Sequence, residues 1–332
     1  MAPTARGRHA RRPTPTSSSG ASTVDLHTHT LRSDGVLQPV ELVRAAAAAG
    51  VTTLAITDHD TLAAYRELVL GRAMPAPIEL IPAVEINALA AGIPLSDGEL
   101  HILGFGMDPA DEEFEAALAK QRAARRIRFE RTVERLREVG MPVDEHLGHI
   151  DLTRDDALGR PTIGRALVAG GFAKSVEDAF NRLIGWGGPG YVAREGMGPR
   201  AAIEAIRRAG GVPVLAHFSE APGQLGLLRE LKEIGLVGLE VFYISFPRET
   251  VTLVADVAKR LGLLATGGSD YHGDTSTYAE AHAAVHVPDA VGKGLRVAIA
   301  AATEAATATT ATSIAATTHV VPADAADTIT ER

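Results

Sequence analysis

Short apolar runs alternate with amphipathic stretches along most of the chain from residue 23 onward. "VELVRAAAAAG" predicts a helix closed by Gly50, because its apolar positions recur at helical spacing and a glycine follows the last of them. "VTTLAIT" predicts a strand of β-branched and apolar residues. "TLAAYRELVLGRA" predicts a second helix, and "IELIPAVEIN" and "ELHILGFG" one strand each. The alternation returns later, with "AAIEAIRRAG", "QLGLLRELKEIG" and "ETVTLVADVAKRLG" as helices and "VPVLAHF", "GLEVFYI" and "LLATGGSD" as strands. Strands this uniformly apolar are buried on both faces, as in a parallel α/β sheet or barrel.

Residues 109–199 break the rhythm. "DEEFEAALAKQRAARRIRFERTVERLREVG" is a long amphipathic pattern ended by Gly140, and "GRPTIGRALVAGG" and "SVEDAFNRLIG" read as shorter helices. The expected organisation is a main domain over 23–108 and 200–297, interrupted by a helical insertion at 109–199. Residues 1–22 are rich in Arg, Pro and Ser and are expected to be a disordered tail. The Ala/Thr-rich stretch 298–332 is expected to be a low-complexity tail.

Composition narrows the chemistry. The 332 residues contain no cysteine, so thiolate metal sites, disulfides and cysteine nucleophiles are excluded. Any metal must be held by His, Asp and Glu, a donor set that suits manganese, zinc or iron. A net charge of -8 argues against binding extended duplex nucleic acid, and 4% aromatic residues argue against base-stacking platforms. No apolar run is long enough to span a bilayer and no secretory signal core is present, so no membrane association and a cytoplasmic location are expected. No obligate protein partner is evident. No GxxxxGK[ST], GxGxxG or GxSxG occurs in a suitable context, which leaves nucleotide-loop and serine-hydrolase readings unsupported.

The informative feature is positional. His27, His29, His59, His101, His217 and His272 sit in or just after strand-like runs, and Asp34, Glu85 and Asp270 sit there or in the adjoining turns. In parallel α/β folds strand ends converge on one rim, where active sites are built. His27 and His29 lie two apart on an extended chain and so point to one side, as do Asp270 and His272. Each fragment alone is as compatible with a turn or a satisfied strand histidine. Together these nine residues are too many for one tetrahedral zinc and suggest a cluster of several metals. Metals held close together suit phosphoester hydrolysis, because one lowers the pKa of a water to give hydroxide near neutral pH while its neighbours neutralise phosphate oxygens.

"DLHTHTLRSDG", "AITDHDT", "AVEINA", "LHILGFG", "VLAHF" and "GGSDYHG" resemble the ordered motifs of the PHP (polymerase and histidinol phosphatase) superfamily over roughly residues 23–290. The resemblance implies a distorted (β/α)7 barrel with three divalent metals per chain, Mn, Zn or Fe. The middle region is most similar to the branch of 3',5'-nucleoside bisphosphate phosphatases, whose members also degrade short RNA from the 5' end. Carried over, the resemblance assigns His27, His29, Glu85 and Asp270 to one metal. Glu85 bridges to a second, with His101 and His217, and Asp34, His59 and His272 hold the third. Phe218 stands where the family more often has proline, and Thr162 where related sequences have histidine. The second departure touches substrate preference rather than metal chemistry.

The implied activity is hydrolysis of phosphomonoesters of small nucleotides, nucleoside 3',5'-bisphosphates foremost, with short 5'-phosphorylated RNA as a further substrate. The alternatives are a histidinol-phosphate-type phosphatase, which needs fewer anion anchors, and a proofreading module partnered with a polymerase. The metal-borne chemistry centres on His27, His29, Glu85, Asp270 and His272. Proton delivery to the leaving group falls to a water, His272 or Asp60.

In the insertion, Phe129, Val133 and Leu136 form an apolar helix face that Arg122, Arg125 and Arg126 continue, whereas Arg128, Arg131 and Arg135 fall on another side. Inward arginines need an anionic partner, and a second substrate phosphate suits their forked donors. Arg160 and Tyr191 are further candidates for substrate contact, and Arg165 for a structural role.

Overall fold

The computed structural model describes residues 22–90, 98–148 and 158–317, with side chains to 308. The expected N-terminal tail lies outside the described residues except for Ser22, and so do 318–332. The chain forms a mixed α/β fold of eight strands in two sheets. Strands β1 (Val24–Asp25), β2 (Thr53–Ala55) and β3 (Glu79–Ile81) make a parallel sheet. Strands β4 (Ala83–Leu89), β5 (Glu99–Phe105), β6 (Val212–Leu215), β7 (Gly238–Tyr243) and β8 (Leu264–Gly268) make a second.

Two expectations change here. The stretch "IELIPAVEIN" is two strands rather than one, broken at Pro82, whose missing N–H interrupts a ladder. The second sheet is not all parallel, because β4–β5 and β5–β6 pair antiparallel while β6–β7 and β7–β8 are parallel. A parallel pair needs a crossover of a dozen or more residues, and the chain between Leu89 and Glu99 is too short for one.

Among the described residues the ladders close no barrel. The sheets meet instead through isolated bridges, Thr28 with Tyr271 and His59 with Glu85, and through the backbone bond Leu26 N to Gly267 O. Asp60 and Asp270, next to these bridges, have φ of 54° and 45°. Left-handed residues cannot continue a ladder, so pairing stops where the two sheets touch.

Helices α1 (Pro39–Ala48), the short α2 (Ala63–Tyr65), α6 (Pro199–Arg208), α7 (Leu225–Ile234) and α8 (Arg248–Leu261) pack around the sheets. The chain between β5 and α6 contains α3 (Glu112–Glu138), α4 (Arg160–Ala169) and α5 (Val176–Ala179), the last continued by a π-helical turn at Phe180–Ile184. Asp111 caps α3 by accepting from Phe114 N at 2.8 Å, and an acidic first turn complements the helix dipole. The two halves of α3 serve different cores. Phe114 and Leu118 join the cluster over the second sheet, whereas Phe129, Val133 and Leu136 pack with Ile163, Leu167 and Ile184 in a cluster formed by the helices between β5 and α6.

After α9 (Tyr278–Ala284), the C-terminal helix α10 runs from Asp289 to Thr317, past the boundary at 298 where a tail was expected. Alanine is the strongest helix former, and Val291 and Leu295, with Ile299 and Ala302 behind them, pack onto the apolar cluster under β1 and β6. Among the described residues no helix is long and apolar enough to cross a membrane.

Candidate metal centre and anion wall

The nine expected ligands converge from six segments. His27 and His29 follow β1, Asp34 lies in the loop beyond them, and His59 follows β2. Glu85 lies within β4 and His101 within β5, where the register pairs His101 with Asn87 and sets Glu85 one same-face position away. His217 follows β6, and Asp270 and His272 follow β8. The last residue of β8 must be glycine, since a Cβ on Gly268 would stand 2.4 Å from His27 N.

Glu85 is the hub. Its Oε2 lies 3.3 Å from His27 Nε2, 3.2 Å from His29 Nε2 and 3.3 Å from His59 Nδ1. Its Oε1 lies 2.6 Å from His101 Nδ1 and 3.2 Å from His217 Nε2. Asp270 Oδ1 is 3.2 Å from both His27 Nε2 and His29 Nε2. Asp34 contacts His59 Nε2 at 3.3 Å through Oδ2 and His272 Nε2 at 3.3 Å through Oδ1. Donor atoms thus fall into three groups within which all lie inside 4.8 Å: His29, Asp34, His59 and His272; His27, His29, Glu85 and Asp270; and Glu85, His101 and His217. The grouping differs from the expected one in that His29 belongs to two groups.

Glu85 is only 1% exposed. Burial alone raises a carboxyl pKa, yet His59, His101 and His27 hold Glu85 well below the usual range. Burial pushes His59 down to about 4 against the pull of Asp34 and Glu85, which keeps its lone pairs available. His29 Nε2 and His59 Nδ1 are buried without a hydrogen-bond partner. A buried polar atom left unsatisfied is costly, and a cation facing both nitrogens satisfies them. The donors are all imidazole nitrogen and carboxylate oxygen, so the residues fit divalent metal ions.

A supporting layer orients these donors. Glu240, buried in β7, places Oε1 2.9 Å from His27 Nδ1 and accepts from His217 N at 2.8 Å through Oε2. Asp58 accepts from Thr30 N, Thr30 Oγ1 and Ser33 Oγ at 2.6–2.7 Å and fixes the loop between His29 and Asp34. Asp25 accepts from Ser269 N at 2.9 Å and from Tyr278 Oη at 2.9 Å, tying the Asp270 turn to α9. Tyr243 Oη donates to Asp270 Oδ2 at 2.9 Å. None of these was among the expected ligands. Glu240, a lone carboxylate in the apolar "GLEVFY", carried the same signal that marked Glu85.

Above the cluster opens a cavity of about 500 Å³ whose floor includes Asp34, His59 and His101. One wall is cationic, with Arg125, Arg128, Arg160 and Arg194, and Phe180, Trp186 and Tyr191 line it further out. Glu99 receives Arg128 Nη1 at 3.2 Å, Arg194 Nη1 at 3.4 Å and Arg160 Nη2 at 3.6 Å. Burial opposes its ionisation, but Arg194, Arg160, His101 and Arg128 hold its pKa near about 2. Burial and crowding by Arg160 lower Arg128 to about 10, and burial and Arg125 lower Arg194 to about 10. Arg194 Nε is a buried donor without a partner.

The expected arginines are only partly those on the wall. Arg125 lines the cavity, donating to Asp60 Oδ2 at 2.5 Å and to Asn87 Oδ1. Arg122 instead donates to Asp60 O at 2.9 Å and Glu115 Oε1 at 2.6 Å, and neither it nor Arg126 lines the cavity. Arg128, expected outside, turns in, because the buried face of α3 is wider than the one drawn through Phe129, Val133 and Leu136 and takes in Gln121, Arg128 and Thr132 beside them. Arg160 sits over the Phe180 ring at 5.2 Å. Arg165, expected to be structural, donates to Asp274 and to Asp34 O. Asp60, expected as one possible proton donor, is wholly buried behind Arg125 and Arg194 and pairs with both. His272 lines a second cavity of about 340 Å³ beside Asp270 and Tyr243.

An imidazole–carboxylate cluster at the meeting of two sheets, facing a cationic wall, defines a site for metal-assisted chemistry on an anionic ester. Comparison with known proteins agrees. Residues 25–140 match the PHP domain. The chain is 33% identical over 252 residues to a 5'-3' exoribonuclease of Haemophilus influenzae, covering 75% of this chain and 89% of the relative. It is 31% identical over 264 residues to a 3',5'-nucleoside bisphosphate phosphatase of Chromobacterium violaceum, covering 75% of this chain and 87% of the relative. Among solved structures, a protein assigned as a metal-dependent phosphoesterase from Bifidobacterium adolescentis superposes with a TM-score of 0.72 at 31% identity, covering 82% of this chain and 95% of that one. The chain is a metal-dependent phosphoesterase, an enzyme acting on phosphoric ester bonds. It belongs to the PHP family.

Proposed function

We propose that the enzyme hydrolyses phosphomonoesters of small nucleotides, with nucleoside 3',5'-bisphosphates as the preferred substrates and short 5'-phosphorylated RNA as a second. The observation that carries the reading is the Glu99 wall, where Arg128, Arg160 and Arg194 crowd one carboxylate. That excess of positive charge, with the unpartnered Arg194 Nε, suits a second phosphate while the first lies over the histidine–carboxylate cluster. A substrate with one phosphate, such as histidinol phosphate, leaves the wall without a partner. The relative named 5'-3' exoribonuclease supports testing RNA beside the bisphosphate.

Bound divalent metals supply Lewis acidity and a water of lowered pKa. On this reading three of them, Mn, Zn or Fe, are held by the three donor groups, with Glu85 shared between two. The two sheets and their linking bridges are an opened form of the distorted (β/α)7 barrel, and 109–199 is the inserted substrate reader. Arg125 and Arg160 orient the distal phosphate with Arg128 and Arg194, and Tyr191 closes the outer side. Fixing both phosphates holds the ester in one pose over the cluster, which is where positioning contributes to rate.

The test compares phosphate release by manganese-loaded protein from a nucleoside 3',5'-bisphosphate, the 5'-monophosphate, histidinol phosphate and 5'-phosphorylated short RNA. The bisphosphate is expected to give the highest kcat/KM. Preference for histidinol phosphate, or no release from any of the four, overturns the reading. Glu85→Ala is expected to lose bound metal and on the order of 10³-fold in kcat or more, read by metal analysis and phosphate release.

A further inference from the structure

Trp186 is the only tryptophan in the chain, and it stands 78% exposed. An indole left in water forgoes the largest apolar burial any side chain offers. Its ring meets Tyr191 edge-on, with centroids 5.2 Å apart and planes at 68°, on the rim of the cavity above the metal centre.

The loop presenting this pair is tightly built. Gly188 N donates to Gly185 O at 2.9 Å, Gly190 N to Leu183 O at 2.8 Å and Tyr191 N to Gly188 O at 3.0 Å. A Cβ on Gly188 would lie 2.5 Å from Leu183 O, and one on Gly190 would lie 2.6 Å from Leu136. Two arginines of α3 then clasp the loop from outside, Arg135 Nε donating to Pro189 O at 2.7 Å and Arg128 Nε to Val192 O at 2.9 Å. Arg128 therefore touches both the Trp186 loop and Glu99. The aromatic pair and the anion wall are held in one register.

We infer that Trp186 is a specificity-determining residue that stacks the nucleobase of the substrate, with Tyr191 bracing its ring. The inference rests on the nucleotide reading above and adds the part of the substrate that reading leaves unbound. A cavity offering guanidiniums on one wall and an indole at its rim matches a ligand with an anion and a flat π face a short distance apart, which is what a phosphorylated nucleoside presents. An aliphatic phosphomonoester gives the indole nothing to meet. The low aromatic content, which argued against a stacking platform, does not oppose this, because one base needs one well-placed ring.

The experiment uses full-length, manganese-loaded wild type, Trp186→Ala and Trp186→Phe. Each is given adenosine 3',5'-bisphosphate and the base-free 2-deoxyribose 3,5-bisphosphate. In Trp186→Ala the ratio of kcat/KM for the base-bearing over the base-free substrate is expected to fall about tenfold, mainly through KM, and Trp186→Phe is expected to restore most of it. In wild type the fluorescence of the single indole is expected to be quenched by the base-bearing bisphosphate and not by the base-free one. An unchanged ratio in Trp186→Ala overturns the inference while leaving the phosphatase reading standing. If neither bisphosphate releases phosphate, that reading fails instead, and quenching alone then decides the stacking: its absence overturns the inference.

Discussion

Two buried carboxylates on neighbouring strands organise the site, and they do so with opposite partners. Glu85 on β4 gathers five imidazoles, from His27, His29, His59, His101 and His217. Glu99 on β5 gathers the guanidiniums of Arg128, Arg160 and Arg194. An imidazole has a lone pair to give and can be neutral, so a carboxylate ringed by imidazoles is a receptor for cations. A guanidinium has only donors and stays charged, so a carboxylate ringed by guanidiniums leaves surplus positive charge and makes a receptor for anions. The same residue type thus stands at the centre of the histidine floor and of the arginine wall, and the surrounding bases set the character of each.

That contrast can be broken from either side. On the floor, Glu240→Gln removes the charge behind His27 Nδ1 without touching the wall. Metal affinity is expected to fall about 10- to 100-fold, while KM for the bisphosphate at saturating metal stays within about twofold. Competition with a chelator measures the first and steady-state kinetics the second. A metal affinity equal to wild type would show that Glu240 does not orient the floor. On the wall, Arg194→Ala is expected to keep full metal content and to raise KM for the bisphosphate about tenfold. The 5'-monophosphate should respond less. An equal rise for both substrates would move Arg194 from the second phosphate to the first.

The smallest effect appears only in acid. Glu99 titrates near about 2 when folded and near the ordinary value of about 4.3 when unfolded. Its contribution to stability is therefore fully present above the unfolded value and is lost as pH falls through the folded one. Denaturant unfolding of metal-free protein between about pH 4.5 and 2.5 should show a stability that falls less steeply with acidification in Glu99→Gln than in wild type. Identical slopes would mean that the arginines do not hold Glu99 ionised.

The floor was legible in the amino-acid sequence and the wall only in part, for a physical reason. Seven of the nine candidate donors follow strands or lie in loops, where His and Asp stand out against apolar runs such as "VTTLAIT" and "LLATGGSD", while Glu85 and His101 interrupt the strands β4 and β5. Each of the nine is found in the cluster. The wall depends on how broad a face of α3 is buried, and Arg128 lines the cavity while Arg126 does not. Arg194 lies in a loop with no periodicity to place it. Helices and strands were readable as types, but the antiparallel pairing of β4 with β5 depended on a short connection, and that of β5 with β6 on a long helical one, and local pattern flags neither direction. The helix running to Thr317 was hidden by low complexity, since alanine-rich sequence looks alike in a tail and in a helix until a packing face is found.

Among the described residues, three of the four non-glycine positions with positive φ are Asp60, His217 and Asp270. Each costs about 1 kcal/mol or more in backbone conformation, and glycine at any of them would relieve that cost while deleting the arginine anchor or the metal donor it bears. At Asp60 that relief is outweighed, because Arg125 and Arg194 would be left buried without their carboxylate, a loss of about 3–5 kcal/mol. A library screened only for heat resistance would therefore keep Asp60 in spite of its strained backbone.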